Sequence, residues 1–267
     1  MPSHRSIAAV LLCTSLLAAS AELAHADAVN DGGFWLNIIS QGDLGPEPQR
    51  HRIKWWLDGQ LRLYGDSGGF GQGLVRPGVG YALTDSTSVW LGYAYIRTDP
   101  VTGPPNNEQR IWQQFSWGRH FDKVAFDWRS RLEERWLDST PTTATGDEVG
   151  VRFRQLVGGR MSLDFAPRIT PVIWNEVFFN LNDTDWGAQS GFDQNRLFVG
   201  LGFKFTPDSR LRVDAGYMNQ YIERPTSAQN LSNNLFSLTL QWNFGSEARP
   251  AASVAPASHG VAIPGDG

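Results

Sequence analysis

Ionic residues recur at every second position through the middle of this chain. In FDWRSRLEERW, Asp127, Arg129, Arg131, Glu133 and Arg135 take the odd positions, and Phe126, Trp128, Leu132 and Trp136 the even ones. Arg110, Arg152, Arg154, Arg196 and Arg212 are set in their own segments in the same way, with Glu176 and Asp214 as further acids. A row of such ions has two chemistries. It can cross-link neighbouring segments and plug a narrow interior, which holds only if every charge is satisfied. Alternatively it can line a wetted passage, where an excess of arginine favours anions. The spacing is compatible with both, and it does not say which arginine Glu176 would meet.

Catalytic chemistry has less to work with. A serine nucleophile needs its base within about 3 Å. Beyond the first segment the chain offers only His51, His120 and His259. Ser116 and His120 share a face, but four strand residues hold them roughly 13 Å apart. Asn182, Asp183, Asp185 and Asp193 gather oxygen ligands around Gly187, yet their spacing is not that of a calcium loop, and a solvated loop is the better reading. Gly200-Leu201-Gly202 lacks the following helix that a nucleotide-binding turn requires, so close packing explains it better. Nothing in the sequence calls for a cofactor or a metal.

The elements that position the ions can be read from periodicity. Trp128, Leu132 and Trp136 alone would also fit a helix stripe. Other segments decide the matter, because they repeat with period two. Ile53, Trp55, Leu57, Leu61 and Leu63 alternate with Arg52, Lys54, Asp58, Gln60 and Arg62. Val89, Leu91, Tyr93 and Tyr95 share one face; Ile111, Phe115 and Trp117 oppose Arg110, Gln114 and Ser116. Leu197, Val199, Leu201, Phe203 and Phe205 oppose Arg196, Gly200, Gly202 and Lys204, and Phe236 to Phe244 repeat the pattern. The chain is predicted to be all strand.

Composition narrows the class. MPSHR, an apolar run and Ala24-His25-Ala26 read as a secretory signal peptide, residues 1–26, cleaved after Ala26. The single cysteine, Cys13, falls inside it, so no disulfide is expected in the mature protein. No later run is long and apolar enough for a membrane helix, and mean hydropathy is −0.32. Transmembrane strands escape such an average, because they need only about ten alternating residues. Eleven Trp, fifteen Phe and 28 Gly suit a barrel with aromatic belts. A net charge of −4 speaks against a nucleic-acid partner.

Connections are expected to alternate as well. Short turns are predicted at TDST, HFDK, GGRMS and TPDSR, and longer loops at GDSGGFGQG, TDPVTGPPNN, DSTPTTATGD, NDTDWGAQSG and ERPTSAQNLSNN. That is the layout of an outer-membrane barrel. Residues 27–244 are therefore assigned to an antiparallel transmembrane β-barrel with a polar lumen and an aromatic, lipid-facing exterior, and Pro/Ala-rich residues 245–267 to a disordered tail. About eleven candidate strands can be marked, whereas bacterial barrels normally have an even number. Setting aside Phe34–Ser40 as non-spanning gives ten. Splitting the irregular stretch 166–181, where a bulge is also expected, gives twelve.

NEQRIWQQF (107–115), RLEER (131–135), RFRQ (152–155), NEVFFNLN (175–182), FDQNRLFVGLGFKF (192–205) and GYMNQY (216–221) resemble, in order, the bacterial family catalogued as domain of unknown function 2490. The resemblance implies a Gram-negative outer-membrane β-barrel, outer-membrane lipid and the outer-membrane assembly machinery as partners, and no assigned activity or site residues. Barrels of this type often end on the aromatic that assembly machinery reads, whereas here more than twenty residues follow Phe244. The sequence thus supports a non-enzymatic outer-membrane barrel, as a narrow anion-preferring channel or a structural envelope protein. A lipid-modifying hydrolase is the second reading, and a soluble secreted β-barrel the third.

Overall fold

A computed structural model describes residues 28–44, 52–65, 69–100, 104–138, 149–206, 208–224 and 229–244. The signal peptide expected at 1–26, His51, His259 and the disordered tail expected from 245 lie outside the described residues. Eleven strands follow one another: β1 (Ala28–Leu44), β2 (Ile53–Tyr64), β3 (Gly69–Ala82), β4 (Thr87–Thr98), β5 (Asn106–Phe121), β6 (Val124–Leu137), β7 (Gly150–Met161), β8 (Ile169–Asn180), β9 (Gly191–Lys204), β10 (Leu211–Ile222) and β11 (Asn230–Asn243). They form a closed barrel. Each sequential neighbour pairs antiparallel, and β1 closes on β11 in parallel, from Ala28↔Asn230 to Gln41↔Asn243.

The count corrects the expectation of ten or twelve antiparallel strands. Phe34–Ser40 is the middle of β1, with Trp35, Asn37, Ile39 and Gln41 buried inside. Residues 169–180 are one strand, and their irregularity is a register shift at Phe178/Phe179 in the pairing with β9. A closed wall requires only that no edge remain unpaired. One parallel seam achieves that with an odd number of strands and puts Ala28 and Asn243 at opposite rims.

Connections of two to eight residues lie at one rim and of four to twelve at the other. The contrast is softer than the sequence suggests, because strands extend into several predicted connections. Gly69–Gly73 belong to β3, and GGRMS continues β7 as far as Met161. HFDK does turn tightly, with Asp122 at φ 52°, a left-handed conformation that Asp tolerates.

Alternation sorts the side chains as expected. Val75, Val79, Leu91, Val199 and Leu201 stand exposed around the outer wall, and Leu91 retains 52% of its accessible surface. Aromatic pairs mark both rims: Trp55 with Phe244 and Trp117 with Phe126 at one, Phe179 with Phe192 at the other. Outward polar groups on β5 to β9 satisfy one another, as Gln113 does with Glu134, Ser130 with Gln155 and Asn175 with Asn195.

Not every aromatic faces out. Trp56, Trp90 and Trp112 are buried inside, where Ile39, Leu74, Ala94 and Ile96 complete an apolar lining on the β1–β5 side, and Trp35 packs in a second cluster with Val172, Phe198, Met218 and Leu235. Glycine makes the room. A Cβ on Gly78 would lie 2.5 Å from the Trp112 ring, and one on Gly92 would meet the same ring. Gly92→Val is therefore expected to lower stability by about 1–3 kcal/mol through overpacking. Gly59→Ala, whose Cβ finds only ordinary contact at 3.9 Å, should leave stability unchanged or higher. The unfolding midpoints of the refolded variants in urea check both.

Candidate functional site

The ionic wall is built where β5 to β9 turn their inward positions to the lumen. Register places Glu133 opposite Arg152 and Glu176 opposite Arg196, so these pairs follow directly from strand pairing. It also sets Arg110 opposite Arg135 and Arg131 opposite Arg154, like charges that would repel if left alone. Carboxylates one step along resolve the conflict. Glu108 accepts from Arg110 Nε at 2.7 Å and from Arg135 Nε at 2.5 Å. Glu133 accepts from Arg154 Nη1 at 2.5 Å and from Arg152 Nη2 at 2.6 Å. Glu176 gathers Arg129 at 2.6 Å and Arg154 at 2.8 Å, and Asp193 takes the far side of Arg152 at 3.0 Å.

Arg129, Arg131 and Glu133 each keep only 1% of their surface. These side chains are shut off from solvent, and Glu108, Glu133 and Glu176 each brace arginines from two or three strands. Aromatic faces separate the remaining cations. Phe178 lies 4.4 Å from both the Arg154 and the Arg196 guanidinium, Trp112 lies 4.6 Å from Arg131, and Trp35 lies 3.7 Å from Arg62. Rings positioned in this way attract guanidinium through their negative faces. At the mouth above, Trp186 of the β8–β9 loop lies 5.1 Å from the Arg135 guanidinium.

Of the residues singled out from sequence, Arg110, Arg129, Arg131, Glu133, Arg135, Arg152, Arg154, Glu176 and Arg196 join this one network. Arg212 and Asp214 do not. They form a separate pair at 2.6 Å towards the opposite rim, buttressed by Gln241, with Asp127 paired to Arg160 at 3.2 Å. Gly202 leaves space for the Arg212–Asp214 pair, since a Cβ there would collide with both side chains.

Sequence reasoning missed Glu108, the anchor of two arginines, as well as Arg76 and Arg160, and it put Asp58 and Arg62 on the ionic face of their strand without counting them in the site. Their alternation within β2, β3, β5 and β7 was the available signal. Asp193 is not a ligand of a solvated loop; it lies in β9, where the strand begins earlier than the polar sequence suggests. Ser116 is buried and accepts from Gln114 at 2.8 Å, whereas His120 is exposed at the end of β5.

The balance of charge is uneven. Among the described residues, eleven buried arginines face six buried carboxylates and the half-buried Asp193, an excess of four positive charges. An arrangement of this kind can brace a wall, and it can attract anions.

Comparison with other proteins gives the chain relatives without an assigned role. An uncharacterized protein of Methylorubrum extorquens is 31% identical over 234 residues, covering 86% of this chain and 96% of its own length. Among solved structures, the NanC porin in its rhombohedral crystal form is similar at 15% identity and a TM-score of 0.44, over 76% of this chain and 94% of that one. The family described as protein of unknown function DUF2490 matches residues 32–231. It is to this family that the chain belongs.

Proposed function

We propose that the protein is a non-enzymatic barrel of the bacterial outer membrane, a structural envelope protein whose lumen is held shut by its own ions. The observation that carries this reading is the burial of Arg129, Arg131 and Glu133 to 1% in a layer where carboxylates tie several strands together. The exposed apolar wall and the aromatic pairs at both rims favour lipid as its surroundings. Export and the assembly machinery follow from the signal peptide and the intact final strand, as the sequence suggests.

A second reading is favoured by the arginine excess: a narrow passage that prefers anions once the layer rearranges. Current across a planar bilayer from the refolded mature chain separates the two. Silence from demonstrably folded protein agrees with the closed barrel, and discrete steps with an anion-selective reversal potential replace it by the channel. If steps are seen, Arg129→Gln combined with Arg131→Gln should reduce the preference for anions; unchanged selectivity would remove those residues from the path.

Glu133 tests the closure itself. Glu133→Gln strips the shared charge from Arg152 and Arg154, leaving them only Asp193 and Glu176, and is expected to cost up to about 3–5 kcal/mol. Urea unfolding of the variant should show that loss, and bilayer recordings should show leak current absent from the parent. A variant as stable and as silent as the parent would mean that Glu133 is not what holds the layer.

A further inference from the structure

The excess positive charge is not spread evenly. Arg62 on β2, Arg131 on β6 and Arg196 on β9 are all buried, and none of them donates a hydrogen bond to a carboxylate. Arg62 forms no ion pair among the described residues. The carboxylate oxygens nearest to Arg131 and Arg196 belong to Glu133 at 3.8 Å and Glu176 at 3.9 Å. Their partners are neutral amides instead: Gln60 and Gln72 for Arg62, Gln114 for Arg131, Gln194 for Arg196. Each also keeps one nitrogen buried without a hydrogen-bond partner, Nε of Arg62, Nη1 of Arg131 and Nε of Arg196.

Arg62 and Arg196 belong to one neighbourhood, and Arg131 lies over a different ring, Trp112. Arg154 acts as a like charge on all of them, and Arg62 acts on Arg196 as well. Arg62 and Arg196 share the Trp35 ring, at 3.7 and 4.7 Å from its centre. Buried cations in such proximity need an anion to offset them. The only hydrogen-bond acceptors these guanidiniums find among the described residues are amide oxygens, which stand where the oxygens of an anion would accept. Gln114 Oε1, for example, takes both Nε and Nη2 of Arg131, at 2.9 and 2.5 Å, as one oxygen of a bound oxyanion would.

We propose that the Arg62–Arg196 pair at the Trp35 ring is a binding site for a multivalent tetrahedral oxyanion of the phosphate or sulfate type, held between the two guanidiniums after Gln60, Gln72 and Gln194 turn aside. Two or more negative charges match the local surplus better than one. A tetrahedral oxyanion offers four acceptor oxygens to guanidiniums from separate strands, against two in a carboxylate, and planar guanidinium forks suit oxyanions better than chloride. The proposal rests on the lumen being the charged interior described above. It does not require conduction, so a silent bilayer leaves it intact.

The test uses the refolded mature chain in a phosphate-free maltoside micelle, titrated with inorganic phosphate and with sulfate against chloride at constant ionic strength. Calorimetry and the unfolding temperature are the readouts. Saturable, stoichiometric binding with a rise in unfolding temperature is expected. Arg62→Gln and Arg196→Gln should each weaken it about tenfold or more. Arg119→Gln, at an exposed position near the rim of β5, should leave it unchanged. A purely structural role is distinguished by stability without the anion: removing Arg62 relieves repulsion and breaks no ion pair, so Arg62→Gln should unfold no earlier than the parent in chloride. The proposal is overturned if the folded parent shows no saturable binding, if chloride competes on equal terms, or if Arg62→Gln and Arg196→Gln bind as tightly as the parent. The parent titration alone decides the matter should either variant fail to fold.

Discussion

A carboxylate inside a protein wall survives as an ion only where cations surround it, and the interior of this barrel is organised by that constraint. Glu108, Glu133 and Glu176 each hold guanidiniums from two or three strands, so the positions of β5 to β9 relative to one another are fixed by charge as well as by backbone pairing. Such a lattice is a poor source of net stability compared with a well-packed apolar interior, but it is intolerant of loss of one member. The opposite wall, β1 to β5, is filled in the other way. Trp56, Trp90 and Trp112 interlock there over inward glycines. The barrel thus combines ionic cross-links along β5 to β9 with two apolar clusters, one on β1 to β5 and one of Trp35, Val172, Phe198, Met218 and Leu235, and the Phe178 and Trp35 rings carry guanidiniums where the two kinds of packing meet.

Much of this was legible in the alternation of residues, because period two in a strand fixes which side a residue takes. That β6 turns Arg129, Arg131, Glu133 and Arg135 inward needed only FDWRSRLEERW. Which arginine Glu176 meets was not legible, since the answer depends on the register of β7, β8 and β9. Glu108 was passed over because it sits at the start of a strand next to a Pro- and Asn-rich loop, where loop composition hid the alternation. Trp56, Trp90 and Trp112 were unreadable for a related reason. A tryptophan on the ionic face of a strand has no sequence mark distinguishing it from an interfacial one until Gly78, Gly80 and Gly92 are seen to make its pocket.

The strand count failed for a different physical reason. Parity is a habit of barrels closed by hairpins, in which both ends of the chain come to the same rim. Phe34–Ser40 carries a sound strand pattern, and setting it aside put the general tendency above the local signal. The structure follows the local signal, and the parallel pairing of β1 with β11 accommodates the odd strand without leaving an edge.

That seam also governs how the chain can be rearranged. Asn37 meets Thr239 across it, 202 residues apart, while every other strand neighbour is its immediate successor in the chain. In a barrel with an even number of strands the two ends can be joined by a short turn and the chain reopened elsewhere. Here Ala28 and Asn243 are separated by the height of the wall, on the order of 40 Å for strands of this length. A linker joining them would have to cross the barrel from rim to rim. Circular permutation, a routine tolerance of compact domains, is therefore denied to this topology unless a twelfth strand is supplied.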